Sequence, residues 1–261
     1  MELGYELLGF LVAAAFFAGM IDAIAGGGGL ITIPALLAAG IPPVAALATN
    51  KLQSTFGTGG AVIAYARKGH IDFRRFAWPT VAAFVGSGIG AFILTRVDSS
   101  FLTVILPLLL VGIAMYYLFA PKMSDDDRHS RAGPLLLIGV ALMIGCYDGF
   151  FGPGTGSFFT TALVAVFGLG LLRAVAHTKL LNFASNVAGL AVFIAGGHVL
   201  WVVGLAMAVG SVAGGQAGAY VAMRFGAGLA RPLLIVTSLA LTARLLADPA
   251  HPVTAWVLGL G

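Results

Sequence analysis

Charged side chains are scarce in this 261-residue chain: 14 Lys and Arg with 10 Asp and Glu make up 9% of it, against about 25% in a soluble domain. That deficit excludes an ordinary water-soluble fold. Cysteine is almost missing as well. Cys146 stands alone in an apolar run, so an intrachain disulfide and a cysteine-built metal cluster are both excluded, and no metal or other cofactor is expected. The opening MELGYELLGF carries Glu2 and Glu6 where a secretory signal needs basic residues, so the first apolar segment is expected to be a retained helix. No polar loop is long enough to fold into a partner-binding domain, which argues against a scaffold. The net charge of +4 is assigned to loops that face the cytoplasm, so nucleic acid is not an expected partner.

What the chain has instead is apolar length. Residues 23–50, 76–95, 99–121, 149–172 and 199–223 each run without Asp, Glu, Lys or Arg, and about 20 such residues suffice to cross a hydrocarbon core. The expectation is an all-α polytopic, multi-pass membrane protein with the lipid bilayer as its surroundings. Spans are expected at about 5–25, 30–40 (short), 44–66, 74–95, 100–120, 133–150, 156–168 (short), 173–195, 199–223 and 229–247. The 37 glycines imply close helix packing or broken helices.

The chain also repeats itself. Gly19, Asp22, Gly26 and Gly28 match Gly145, Asp148, Gly152 and Gly154 at an offset of 126. Downstream, Ala48, Lys51 and Leu52 match Ala176, Lys179 and Leu180; Gly69-His70 matches Gly197-His198; Val85-Gly86-Ser87 matches Val209-Gly210-Ser211; and Pro107-Leu-Leu matches Pro232-Leu-Leu. Five blocks in one order imply an internal duplication: a first transmembrane repeat over 1–121, a charged cytoplasmic linker over 122–132 and a second repeat over 133–261. Loop charge favours inversion of the second repeat. Inverted, 10 loop Lys and Arg face the cytoplasm and only Arg96 and Arg244 lie outside; parallel, the split is 8 to 4. Inversion also puts both termini outside.

Four ionisable residues interrupt the apolar spans: Asp22, Lys51, Asp148 and Lys179. Each costs about 2.5–3.5 kcal/mol at a bilayer centre, so all four must face protein or water. One reading is mutual neutralisation, Asp22 with Lys51 and Asp148 with Lys179, or crosswise. A second gives them work. The glycine runs Gly26, Gly27, Gly28, Gly29 and Gly152, Gly154, Gly156 each end one helix and precede a short one, which would leave backbone N–H groups free for an anion. Paired breaks of this kind point to a solute site at the midplane. Lys51, Ser54 and Thr58 share a helix face, as do Lys179, Asn182 and Asn186. Asn50, Gln53, His177 and Asn182 are expected to orient the solute. Asp22 and Asp148 are candidate proton carriers. His70 and His198 read as interfacial caps; Trp78, Trp201, Trp256, Tyr116 and Tyr117 read as aromatic-belt residues.

The stretches Asp22-Ala-Ile-Ala-Gly-Gly-Gly-Gly-Leu-Ile-Thr-Ile-Pro34, Ala48-Thr-Asn-Lys-Leu-Gln53, Tyr147-Asp-Gly-Phe-Phe-Gly-Pro153 and His177-Thr-Lys-Leu-Leu-Asn182 resemble the TauE/SafE family of sulfite exporters and toluene-sulfonate uptake permeases, in its short bacterial form. The resemblance implies a secondary carrier of sulfite, sulfonates or related sulfur anions in a bacterial plasma (inner) membrane; a homodimer is also allowed. Two alternatives stand beside it: a passive anion channel, and an intramembrane aspartyl-type enzyme. Two buried lysines and the lack of a Gly-x-Gly before either aspartate disfavour the enzyme.

Overall fold

The structure is a computed structural model that describes residues 4–119 and 132–225. Among the described residues every regular element is a helix: α1 (Tyr5–Ala25), α2 (Gly29–Ala38), α3 (Pro43–Arg67), α4 (Phe73–Leu94), α5 (Ser99–Phe119), α6 (Pro134–Phe150), α7 (Thr155–Ala165), α8 (Leu171–Ala195) and α9 (Trp201–Phe225). Each falls on an expected span. The span at 229–247, residues 122–131 of the linker, and Trp256 lie outside the described residues. Five of the helices, α1, α4, α5, α8 and α9, are long and apolar enough to cross a membrane. α2 and α7 have 10 and 11 residues, about 15 Å of helix, half of a hydrocarbon core.

Local chemistry explains the boundaries. Pro43 and Pro134 open α3 and α6 at the first turn, where their missing N–H costs nothing. The Asp72 carboxylate caps α4 by accepting the Arg75 N–H at 2.9 Å. Asp98 sits outside the spans at the start of α5, where hydrogen bonds from Ser100 hold its carboxyl below the ordinary carboxylate range. Gly69 and Gly197, at φ +74° and +70°, turn the chain left-handed after α3 and α8. The next N–H groups, of His70 and His198, then close onto Tyr65 O and Phe193 O at 3.1 Å in both cases.

Burial is inverted relative to a soluble protein. Phe84, Phe92, Ile89, Val202, Val209 and Met143 are exposed, while Asn50, Lys51, Asp148, Thr178, Lys179, Ser185 and Asn186 are buried. The exposed faces suit lipid, which is as apolar as they are. Trp78 and Trp201, at the starts of α4 and α9, are largely exposed, as interfacial tryptophans are. Tyr116 instead shares a hydrogen bond with Thr161 at 2.8 Å and packs on Phe158.

The two halves interlock. α1 packs along α9, and α6 along α4; α3 packs on α9, α8 on α4, and α3 on α8. Glycine makes these crossings. A Cβ on Gly210, Gly214 or Gly218 would overlap the carbonyl oxygen of Val12, Phe16 or Met20 respectively, and one on Gly86 or Gly90 that of Leu142 or Cys146. In both ladders the numbers rise together, so α1 runs parallel to α9 and α4 parallel to α6, in small-xxx-small seams that bring backbones into contact. α3 and α8 run antiparallel. The beginning of each lies beside the chain that leaves the other: Thr49 bonds Leu200, and His177 bonds Asp72.

Candidate functional site

α1 ends where Gly26 and Gly27 take φ +76° and +124°, conformations closed to residues with a Cβ. The break exposes the first N–H groups of α2. Asp22, four residues back on α1, turns its carboxylate onto them: Oδ1 accepts from Gly27 N–H at 3.0 Å and Gly28 N–H at 3.2 Å. The protein thus supplies its own anion at that helix N-terminus. The second break is built differently. Gly152 and Gly154 carry φ +89° and +77°, but the position aligned with Gly27 is Pro153, which has no N–H. Asp148 turns away to Ser185, whose hydroxyl donates to Oδ2. Among the described residues no hydrogen bond ends on the N–H of Gly154 or Gly156.

The lysines pair across the halves. Lys51 Nζ lies 2.9 Å from Asp148 Oδ2, and Lys179 Nζ lies 2.8 Å from Asp22 Oδ2. Of the two neutralisation schemes the sequence allowed, the structure adopts the crosswise one. Lys51 also donates to Asn186 Oδ1 at 3.0 Å. Lys179 is fully buried and Lys51 nearly so, and a buried charge requires such partners.

The two breaks touch. A Cβ on Gly26 would overlap the backbone of Gly156, and one on Gly29 would meet Pro153 Cα at 3.4 Å. Around their meeting point is a polar cavity of about 30 Å³, lined by Asp22, Gly27, Gly28, Gly29, Asn50, Lys51, Ser54, Thr58, Asp148, Gly152, Gly154, Thr155, Gly156, Asn182 and Asn186. That is the size of a water molecule or two. Asn50 Oδ1 accepts from Thr32 Oγ1 at 2.6 Å and Gln53 Nε2 at 2.8 Å. The aligned pair Thr160 and Thr178 share a hydrogen bond at 3.1 Å. Asn182 Oδ1 and Gln53 Oε1 are buried without a partner among the described residues.

Most of the residues expected to form a solute site therefore converge. Four do not line this cavity. Gly26 lies behind it against Gly156, Lys179 is covered by Asp22, and Gln53 opens on a smaller adjoining cleft with Ser54, Gly57 and Ser211. His177 is elsewhere. Its ring stacks on Phe76 with centroids 3.9 Å apart, Nε2 accepts the Asp72 N–H at 2.9 Å, and Nδ1 meets Arg173 O at 2.7 Å. Nε2 is spent on the α3–α4 connection and Nδ1 on a carbonyl of α8 itself, which leaves the ring nothing to offer the cavity. Sequence reasoning passed over Ser185 and Tyr147; the Tyr147 hydroxyl fixes the second break through Pro153 O at 2.6 Å. Neither residue falls on the stripe that starts at Lys179, so no local spacing marks them.

Interlocked apolar helices, two buried ion pairs and half-length helices meeting at a polar centre define a polytopic helical membrane protein built around an internal polar site. Comparison with known proteins places it further. The family described as "Sulfite exporter TauE/SafE" matches residues 11–245, and the chain belongs to this family of membrane transporters. It is 50% identical over 257 residues to "Probable membrane transporter protein ORF9" of a Sinorhizobium species, covering 98% of each chain. It is 43% identical to a "Probable membrane transporter protein" of Haemophilus influenzae, over 95% of this chain and 98% of that one. Against "Probable membrane transporter protein YfcA" of Escherichia coli K12 it is 44% identical, over 93% of this chain and 90% of the relative. No solved structure matches it.

Proposed function

We propose that this chain is a secondary transporter of small sulfur-containing anions, such as sulfite or a sulfonate, with the solute held at the N-terminus of α7. The observation that carries this reading is the asymmetry of the two breaks. Asp22 fills the α2 end, whereas at the α7 end the Gly154 and Gly156 N–H groups, beside Lys51 and Asn182, meet no acceptor among the described residues. Helix dipole, free donors and a cation favour a negative ligand there. The family description supplies the sulfur chemistry.

The cavity as folded is too small for such a solute, so this conformation is read as occluded. A carrier passes through such a state, and an open channel does not. The halves over 1–121 and 133–261 are read as inverted repeats that rock about the site, a reading the antiparallel α3 and α8 support. Asp22, Asp148, Lys51 and Lys179 together carry no net charge, so an arriving anion leaves an uncompensated charge in a dry site unless a proton comes with it. Asp22 and Asp148 are the carboxylates placed to take that proton.

The test is a thermal-shift screen of the purified protein against sulfite, sulfate, thiosulfate, sulfonates and carboxylates, followed by counterflow in proteoliposomes. Ligands that bind the folded state raise the melting temperature by mass action. A sulfur anion that stabilises the protein and is exchanged faster when present on the opposite side supports the reading. Stabilisation by carboxylates alone, or flux without counterflow, refutes it.

A further inference from the structure

Thr49 on α3 and His177 on α8 stand 128 positions apart in the sequence, and so do Leu200 and Asp72. The structure ties them in two equivalent bonds. Thr49 Oγ1 accepts the Leu200 N–H at 3.2 Å, and His177 Nε2 accepts the Asp72 N–H at 2.9 Å. Each bond clasps a long helix of one half to the start of the fourth helix of the other, α9 or α4. Because α3 and α8 are antiparallel, the clasps sit at opposite ends of the bundle. The His177 clasp lies at the end bearing Arg67, Lys68, Arg74 and Arg75, which the positive-inside rule puts in the cytoplasm.

The clasps have the same geometry and different chemistry. A backbone N–H can only donate, so His177 Nε2 must be unprotonated, and the ring's single proton sits on Nδ1, directed at Arg173 O at 2.7 Å. A second proton would turn Nε2 into a donor facing the Asp72 N–H and break the bond. Thr49 has no such second state. We infer that His177 is a latch that opens the cytoplasmic end of the fold when that side is acidified, and that Thr49 with Leu200 is its pH-indifferent counterpart at the other end. The charged groups that reach the ring are Arg173 on α8, Asp72 on the connection and Arg75 on α4. Asp22 on α1, Lys51 on α3 and Asp148 on α6, all packed against α8, and Lys179 on α8 itself are held in pairs of their own. α7, which also packs on α8, carries no charged residue.

The latch rests on the alternating-access reading for its use, but it is testable without any solute. In a Cys146→Ala background, a cysteine in place of the buried Ala176 reports opening of this end to a membrane-impermeant thiol reagent applied from the cytoplasmic side. Its labelling rate is divided by that of Lys68→Cys, which is exposed, to remove the reagent's own pH dependence. With His177 present the ratio should rise about fivefold or more between about pH 7.5 and pH 4. In His177→Gln, which keeps an acceptor and cannot titrate, the ratio should change by less than about twofold; His177→Thr, copying the opposite clasp, should behave alike. A flat ratio with His177 in place, or the same rise in both folded variants, overturns the latch. A pH-dependent ratio in a protein that binds and exchanges no sulfur anion keeps the latch and removes the proposed solute.

Discussion

The crosswise ion pairs make a prediction that separates this fold from its nearest alternative. Lys179→Met leaves the Asp22 carboxylate with only the Gly27 and Gly28 N–H groups for partners, and Asp22→Asn leaves a fully buried ammonium at Lys179. Breaking a buried pair from one side costs about 3–5 kcal/mol. For a chain of this size each kcal/mol moves the melting temperature by about 2–4 °C, so either single change should lower it by about 6–20 °C in detergent. The double variant Lys179→Met with Asp22→Asn removes both charges together. It should recover most of that loss, because exchanging a buried pair for neutral groups is often close to neutral. Lys51→Met with Asp148→Asn should behave in the same way. Combining Lys51→Met with Asp22→Asn breaks two pairs and should be at least as damaging as the two single changes added, since the two do not share a partner. Four single and four double variants, read by thermal melts monitored by size-exclusion chromatography, give the full set of couplings. If Lys51→Met rescues Asp22→Asn and Lys179→Met does not, pairing is within the halves and the interlocked arrangement is wrong.

The helix seams predict a position-specific cost: Gly90→Ala meets the Cys146 carbonyl and should destabilise by about 1–3 kcal/mol as overpacking does, while Gly88→Ala, two residues away with open space around it, should be tolerated in the same melt. Ser185→Ala removes the hydroxyl that serves Asp148 and should cost about 1–3 kcal/mol, with Ser185→Thr restoring part of it. Asp148→Asn or Asp22→Asn should abolish pH-driven accumulation in proteoliposomes while anion exchange stays measurable; accumulation that persists in both variants ends the proton role. For topology, Lys68→Cys should label from the cytoplasmic face and Ala195→Cys, exposed at the far end of α8, from the opposite face; labelling of both from one side contradicts the inverted arrangement.

The class of the protein and the placement of its described spans were legible in the sequence because both rest on local properties. An apolar run must be helical in lipid wherever it occurs, since its backbone can bond nowhere else, and helical spacing alone puts Lys51 with Ser54 and Thr58 on one face. The four intramembrane charges were equally legible, because any such charge needs a partner regardless of fold. Partner choice was not. Asp22 belongs to Lys179 and not to Lys51 because α1 lies against α9 and α6 against α4, and those neighbours are set by Gly210, Gly214, Gly218, Gly86 and Gly90 meeting carbonyls about two hundred residues away in one case and some fifty in the other. The same contacts bring Gly26 onto Gly156 and create the cavity between the breaks. They also carry His177, two residues from Lys179 in sequence, onto the Asp72 N–H and away from the cavity, because successive residues on a helix point in different directions and only the packed neighbour decides what each one meets.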